Sequence, residues 1–285
     1  MSFPSPTTFG KIATLAGLVG ILAGCNGGTT PAAGIGKVNQ NAYGLSQAVT
    51  FANWPPAAGA VPAVSSFDIS FIDPSVNQYY VADRNNAGVS VINTQTLTFV
   101  TTAAAGKFQG YKPNGPGNSP ATNAGPNGLV PIGNGIVFAG DGDSTLKVVN
   151  VNTGALLQTQ PAVNPYTGAA LPATCGAPGT PTTGAGNQRL DEMAYDPADG
   201  IVLAINDAAC PPFGTFYSTT APYAAVGSIA YTTANGGAEQ PTWDPTQKQF
   251  IQPLPTTIAN PNGEVDLVDP HSFLVTKVFG LPSNC

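Results

Sequence analysis

Three acidic residues stand at one fixed distance from a recurring Asp-Pro pair. Asp68 lies five residues before Asp73-Pro74's aspartate, Asp191 five before Asp196 and Glu239 five before Asp244. Glu192 adjoins Asp191, and Asn127 is the corresponding residue in a stretch that lacks the Asp-Pro pair. Carboxylate and amide oxygens suit a hard divalent cation such as calcium, which takes oxygen ligands. If the recurring segments converge, Asp68, Asp191, Glu192 and Glu239 are the candidate metal ligands. The competing and plainer expectation is that these acids face water or hydrogen-bond a neighbouring backbone.

Other chemistries are narrowed by composition. The chain has one histidine, His271, in an Asp-Pro-His-Ser turn, which excludes multi-histidine zinc sites and argues against a Ser-His-Asp triad. No catalytic residue is assigned. With 9 Lys+Arg against 15 Asp+Glu the net charge is -6, so the chain cannot present the basic face that nucleic acid requires. No Cys-x-x-Cys-His occurs, which excludes covalent c-type haem. Asp141-Gly142-Asp143-Ser144-Thr145 starts like a calcium loop, but Leu146 and Asn152 replace the expected Gly and Glu, so a tight hairpin is the reading. The glycine-rich stretches Gly115-Pro116-Gly117 and 179–186 follow no strand-to-helix pattern and read as loops rather than phosphate cradles. Asn206-Asp207 ends an apolar run and either faces the mouth shared by the other acids or starts a turn.

The elements that must position these residues are short strands. Charged residues make up 8% and hydrophobic residues 42%, with 34 Gly and 28 Pro. That leaves ample material for a core but little for amphipathic helices, and predicts an all-β domain rich in turns. Three segments repeat as strand, Asp-Pro turn, strand: 67–83, 190–205 and 238–251. Proline presets φ and aspartate bonds nearby backbone, so Asp-Pro between apolar runs marks a turn. A later strand also recurs as Gly88–Thr94, Lys147–Thr153 and Gly263–Pro270, each followed by one more strand, and 135–141 supplies an earlier strand of the second unit. The third unit is expected to be interrupted by a long loop over 208–225. Each unit is a four-stranded meander, the unit of a β-propeller blade.

Tyr80-Val81-Ala82-Asp83 followed by Gly88-Val89-Ser90-Val91-Ile92-Asn93-Thr94 resembles the YVTN-type propeller repeat of bacterial surface and periplasmic proteins. That resemblance spans roughly 61–281 as four units. It implies a β-propeller of four-stranded blades, with about four blades over 61–285, either as an incomplete ring or with a strand added from 48–52. The acids and Asn127 on the inner strands also resemble the metal site of gluconolactonase-like propellers, which implies a cation polarising a lactone carbonyl as a Lewis acid.

The N-terminus carries an address. Lys11 precedes an apolar run from Ile12 to Ile21, too short to span a bilayer and of signal-peptide length. The run ends in Leu22-Ala23-Gly24-Cys25, which resembles the bacterial lipobox. The resemblance implies a signal over 1–24, cleavage before Cys25, and acylation of Cys25 including a palmitate-like chain. Residues 25–60 then form a flexible tether and N-terminal segment. Asn26, in place of the aspartate that retains enteric lipoproteins at the inner membrane, leans towards the outer membrane, facing the periplasm or the cell surface. Of the other cysteines, Cys175 and Cys210 lie in neighbouring Pro/Gly-rich loops and are the expected disulfide, while Cys285 is left over.

The leading expectation is therefore an envelope-anchored binding or scaffold propeller, more a binder than an enzyme. Its partners are the membrane, through the lipid, and a protein or small molecule of unknown identity. The alternative is a metal-dependent, lactonase-like hydrolase using the channel acids.

Overall fold

The computed structural model describes residues 66–111, 123–166, 189–234 and 236–283. The expected signal and tether, Trp54, Cys25, Cys175, Cys285 and residues 112–122 and 167–188 lie outside the described residues. The described strands belong to one unit, Leu45–Gly280.

Among the described residues, sixteen strands form four antiparallel sheets, each a meander in chain order. Blade 1 holds β1 (Phe67–Asp73), β2 (Gln78–Asp83), β3 (Gly88–Asn93) and β4 (Thr98–Ala103). Blade 2 holds β5 (Leu129–Gly133), β6 (Ile136–Gly140), β7 (Thr145–Asn150) and β8 (Ala155–Pro161). Blade 3 holds β9 (Met193–Asp196), β10 (Ile201–Asn206), β11 (Phe213–Ser218) and β12 (Ala225–Ala230). Blade 4 holds β13 (Thr242–Asp244), β14 (Gln249–Leu254), β15 (Glu264–Asp269) and β16 (Leu274–Gly280). The first strands pack in sequence, β1 against β5, β5 against β9 and β9 against β13. The described residues form an all-β propeller fold of about four blades, with the first strand of each blade innermost.

One hairpin device recurs through the blades. The side-chain Oδ1 of Asp73 accepts the Ser75 N–H at 3.0 Å, that of Asp196 the Ala198 N–H at 2.8 Å, and that of Asp244 the Thr246 N–H at 2.7 Å. Asn93, Asn150 and Asp269 accept from Gln95, Asn152 and His271 in the same way. Four residues after each of these Asx residues the backbone turns left-handed: Asn77, Leu97, Gly154, Gly200, Lys248 and Phe273 all have φ between 52° and 73°. The side-chain cap satisfies a turn N–H, and the left-handed residue returns the chain into the next strand. Blade 2 lacks the Asp-Pro pair at its first hairpin and instead closes it through Gly133, Asn134 and Gly135, all at positive φ.

The blades are joined by apolar seams. Tyr80, Val89 and Val91 of blade 1 pack with Leu129, Val137 and Val149 of blade 2. Phe138, Leu146 and Val148, from the other face of blade 2, pack with Met193, Val202, Phe213 and Tyr217 of blade 3. Leu203, Ile205 and Phe216 of blade 3 pack with Phe250, Leu254 and Val268 of blade 4. Each such side chain, fully buried, contributes roughly 1.5–3 kcal/mol.

The segment 208–225 is not an uninterrupted loop, because it contains β11. Phe213, Thr215 and Tyr217 point to blade 2, while Phe216 points to blade 4, and all four are fully buried. A strand buried on both faces shows no alternation of apolar and polar residues. With Cys210-Pro211-Pro212 before it and Pro222 after it, its pattern looks like a loop.

The hairpin rule makes a paired prediction. Gly200 (φ 65°) has Thr219 Oγ1 2.7 Å from the position a Cβ would take, so Gly200→Ala is expected to lower stability by about 1–2 kcal/mol. Lys248 (φ 54°) is exposed, and Lys248→Gly is expected to raise stability, by up to ~1 kcal/mol. Urea unfolding of the full chain measures both, and a change of the same sign in the two variants would refute the rule.

Candidate functional site

The residues ahead of the innermost strands are held by one repeated backbone bond. Asn127 N–H donates to Gly140 O at 2.9 Å, Asp191 N–H to Ile205 O at 2.8 Å, and Glu239 N–H to Pro253 O at 3.1 Å. The acceptor is in each case on the second strand of the same blade, so Asn127, Asp191 and Glu239 are structurally equivalent. Asp68, on β1, is their counterpart in blade 1.

Three of the four counterparts meet around two arginines. Arg84, 5% exposed, pairs with Asp68 and donates from Nε and from one terminal nitrogen to Asn127 Oδ1, at 3.2 and 2.6 Å. Asn127 in turn donates from Nδ2 to Leu190 O at 3.3 Å. This chain of contacts stitches blade 1 to blade 2 and blade 2 to the lead-in of blade 3. Arg189 Nε stands 2.5 Å from Asp191 Oδ2, and its terminal nitrogen donates to Asp207 Oδ2 at 2.6 Å. Asp207 follows β10, so a residue read as either mouth-facing or turn-forming belongs to the cluster.

Carboxylate oxygens of Asp191, Glu192 and Asp207, one from each, lie within 4.8 Å of one another. Asp191 is 1% exposed, while Glu192 and Asp207 are half-buried. Burial pushes the Asp191 carboxyl up to about 7, with Arg189 opposing and Asp207 adding to the rise. Burial, reinforced by the charges of Asp191 and Asp207, pushes Glu192 up to about 9. Asp207 is also raised by burial, against the pull of Arg189.

The sequence-derived candidates therefore divide. Asp191 and Glu192 sit together, Asp68 joins them through charge and its pairing with Arg84, and Asp207 completes the group. Glu239 is exposed and stands outside the three-acid group. Asn127 spends its oxygen on Arg84. Arg84 and Arg189 were not singled out by any sequence motif; the available signal was that they are two of only 9 basic residues in the chain.

Two glycines admit the backbone that carries this site. A Cβ at Gly128 would lie 1.9 Å from Asp191 O, and one at Gly140 would lie 2.2 Å from Leu190 O. The Leu190–Asp191 backbone thus lies directly on blade 2.

Elsewhere, the Asp141–Thr145 segment is a hairpin turn, with Asp141 N–H bonded to Thr145 O at 3.0 Å. Asp141 is fully buried, accepts the Gln109 N–H and pairs with Lys147 at 3.1 Å. His271 is exposed, with Nε2 3.3 Å from Asp199 Oδ2. Trp243 packs on Phe250 at 5.0 Å between ring centroids.

No family model matches the chain, and no curated protein matches it. Among solved structures it is similar to Kuenenia stuttgartiensis hydrazine synthase, with a TM-score of 0.52 at 11% identity. The match covers 78% of this chain and 52% of that one, so this chain spans about half of its length. At that identity the likeness concerns the fold alone.

Gly128→Ala is expected to displace the Asp191 backbone and to lower stability by about 1–3 kcal/mol. A chemical-denaturation midpoint unchanged by the substitution would show that the close approach is not needed. The raised carboxyls make a pH prediction. Asp191, Glu192 and Asp266, the last raised to about 7 by burial with the Glu264 charge adding, bind protons more tightly folded than unfolded. Their stabilising contribution is full below about pH 4 and is lost as pH rises through about 7 to 9. With divalent cations chelated, the melting temperature should therefore be higher at pH 5.5 than at pH 9.

Proposed function

We propose that this chain is an envelope-anchored propeller lipoprotein that binds a small, largely apolar ligand where its innermost strands converge. The observation that carries the reading is a cavity of about 760 Å³ built from all four blades. Ile69 and Phe71 of β1, Val130 of β5, Met193 of β9 and Thr242 and Trp243 of β13 are among the residues that line it. Its volume lies in the range of small-molecule sites, which are mostly apolar with a few polar groups that fix orientation. Gln240 supplies one such group, although its Nε2 already donates to Met193 O.

Anchoring rests on the lipobox-like Leu22-Ala23-Gly24-Cys25, with Cys25 as the acylated residue and the outer membrane as the favoured location. A single acyl chain holds a protein only marginally, whereas several anchor it stably. The Cys175–Cys210 pairing belongs to the same reading.

Titration of the full chain with an apolar fluorescent dye such as N-phenyl-1-naphthylamine tests the pocket. The expected result is saturable uptake that falls at least about tenfold in affinity in Thr242→Trp, which fills the cavity from an exposed position while circular dichroism stays native. Uptake unaffected by Thr242→Trp would refute it. Turnover of a lactone panel, lost on substitution of Asp191, would instead favour the hydrolase reading. Cys25→Ser is expected to move the protein from the membrane fraction to the soluble fraction, and retention in the membrane would refute the lipid anchor.

A further inference from the structure

We propose that Asp191, Glu192 and Asp207 form a binding site for one hard divalent cation of the calcium class. The geometry is set by Arg189, which engages Oδ2 of both aspartates, at 2.5 and 2.6 Å. That leaves Oδ1 of Asp191 and Oδ1 of Asp207 buried with no hydrogen-bond partner, and Oε2 of Glu192 is in the same condition. An unpartnered carboxylate oxygen on a side chain as deeply buried as Asp191, 1% exposed, is costly unless something completes it.

The spacing fits a single ion. Calcium holds oxygens at about 2.3–2.6 Å, so two ligand atoms on opposite sides of it are at most about 5 Å apart. One oxygen from each of the three acids meets that limit, all lying within 4.8 Å of one another. The donors are all oxygen, with no imidazole or thiolate among them, which selects a hard cation over zinc or copper.

The charge balance points the same way. Asp68, Asp191, Glu192 and Asp207 face Arg84 and Arg189, four negative groups against two positive ones. When all are ionised, two negative charges remain, which one divalent cation neutralises. Glu192 and Asp207 are half-buried, so water reaches the site to fill the remaining positions of a six- to eight-coordinate ion. The set differs from the acids that share a position before the Asp-Pro turns, because Asp207 enters it and Glu239 does not. The site is independent of the apolar cavity reading: dye uptake and cation binding test different residues.

The experiment is isothermal titration calorimetry of the full chain, stripped with a chelator, against CaCl2, with melting temperature as a second readout. The expected result is one Ca²⁺ bound per chain, a higher melting temperature with Ca²⁺, and affinity lowered ~10- to 100-fold or more by Glu192→Gln and by Asp207→Asn. Glu239→Gln serves as the control and is expected to leave binding unchanged. A shift of the carboxylate stretch in the infrared difference spectrum of the unsubstituted chain on adding Ca²⁺ gives a readout that does not depend on any variant folding. Absence of saturable binding of Ca²⁺, Mn²⁺ or Mg²⁺ up to about 10 mM, above the weakest class of protein calcium sites, would overturn the proposal, with protons as the completing partner instead. Binding that survives both Glu192→Gln and Asp207→Asn in folded protein would overturn it equally.

Discussion

Burial of both faces of a four-stranded sheet is the constraint on which the structure depends. A single small meander cannot bury its own faces, so the blades stack face to face and share side chains across each seam. Blades 2 and 3 are covered on both sides, which is why Val148 and Val149, adjacent on β7, are both fully buried but belong to opposite seams. The same rule fills most middle-strand positions with apolar side chains, although Lys147, Thr215, Gln252 and Asp266 are buried there, and gathers further polar residues at the hairpins and at the lead-ins of the innermost strands.

The lead-ins are where the stacking brings different blades closest. Arg84, Asn127 and the Leu190 carbonyl form a continuous polar connection across three blades, and Arg189 extends it to Asp191 and Asp207. Gly128 and Gly140 permit the approach by having no side chain where Leu190 and Asp191 pass. The acids are therefore crowded by the packing of the backbone, and the crowding raises their proton affinity and leaves oxygens unpartnered. The binding cavity is lined largely by the innermost strands, while the charged cluster gathers Asp191 and Glu192 ahead of β9 with Arg84 and Asp207, which follow the second strands of blades 1 and 3.

Much of the fold is legible along the chain because it is written in local chemistry. Asp-Pro marks hairpins, since an Asx side chain caps the turn within two residues, and the spacing of these pairs reveals the repeat. β11 was not legible because Phe213, Phe216 and Tyr217 are apolar towards both neighbours, so the alternation that identifies a half-buried strand is missing. The innermost strand of blade 2 was obscured for a different reason: its first hairpin turns through Gly-Asn-Gly in place of the Asp-Pro pair.

The site divides along the same line. The amino-acid sequence by itself determined that Asp191 and Glu192 precede an inner strand, that Asp68 and Glu239 share that position, and that the chain has too few cations to neutralise its acids. Only the tertiary structure decided which of these meet. Position within a repeat places four residues equivalently, but each blade aims its own lead-in, and the two arginines pull Asp68, Asp191 and Asp207 into one network while Glu239 remains exposed. Equivalence in sequence is set by local backbone geometry, whereas convergence is set by the packing of blades whose seams differ.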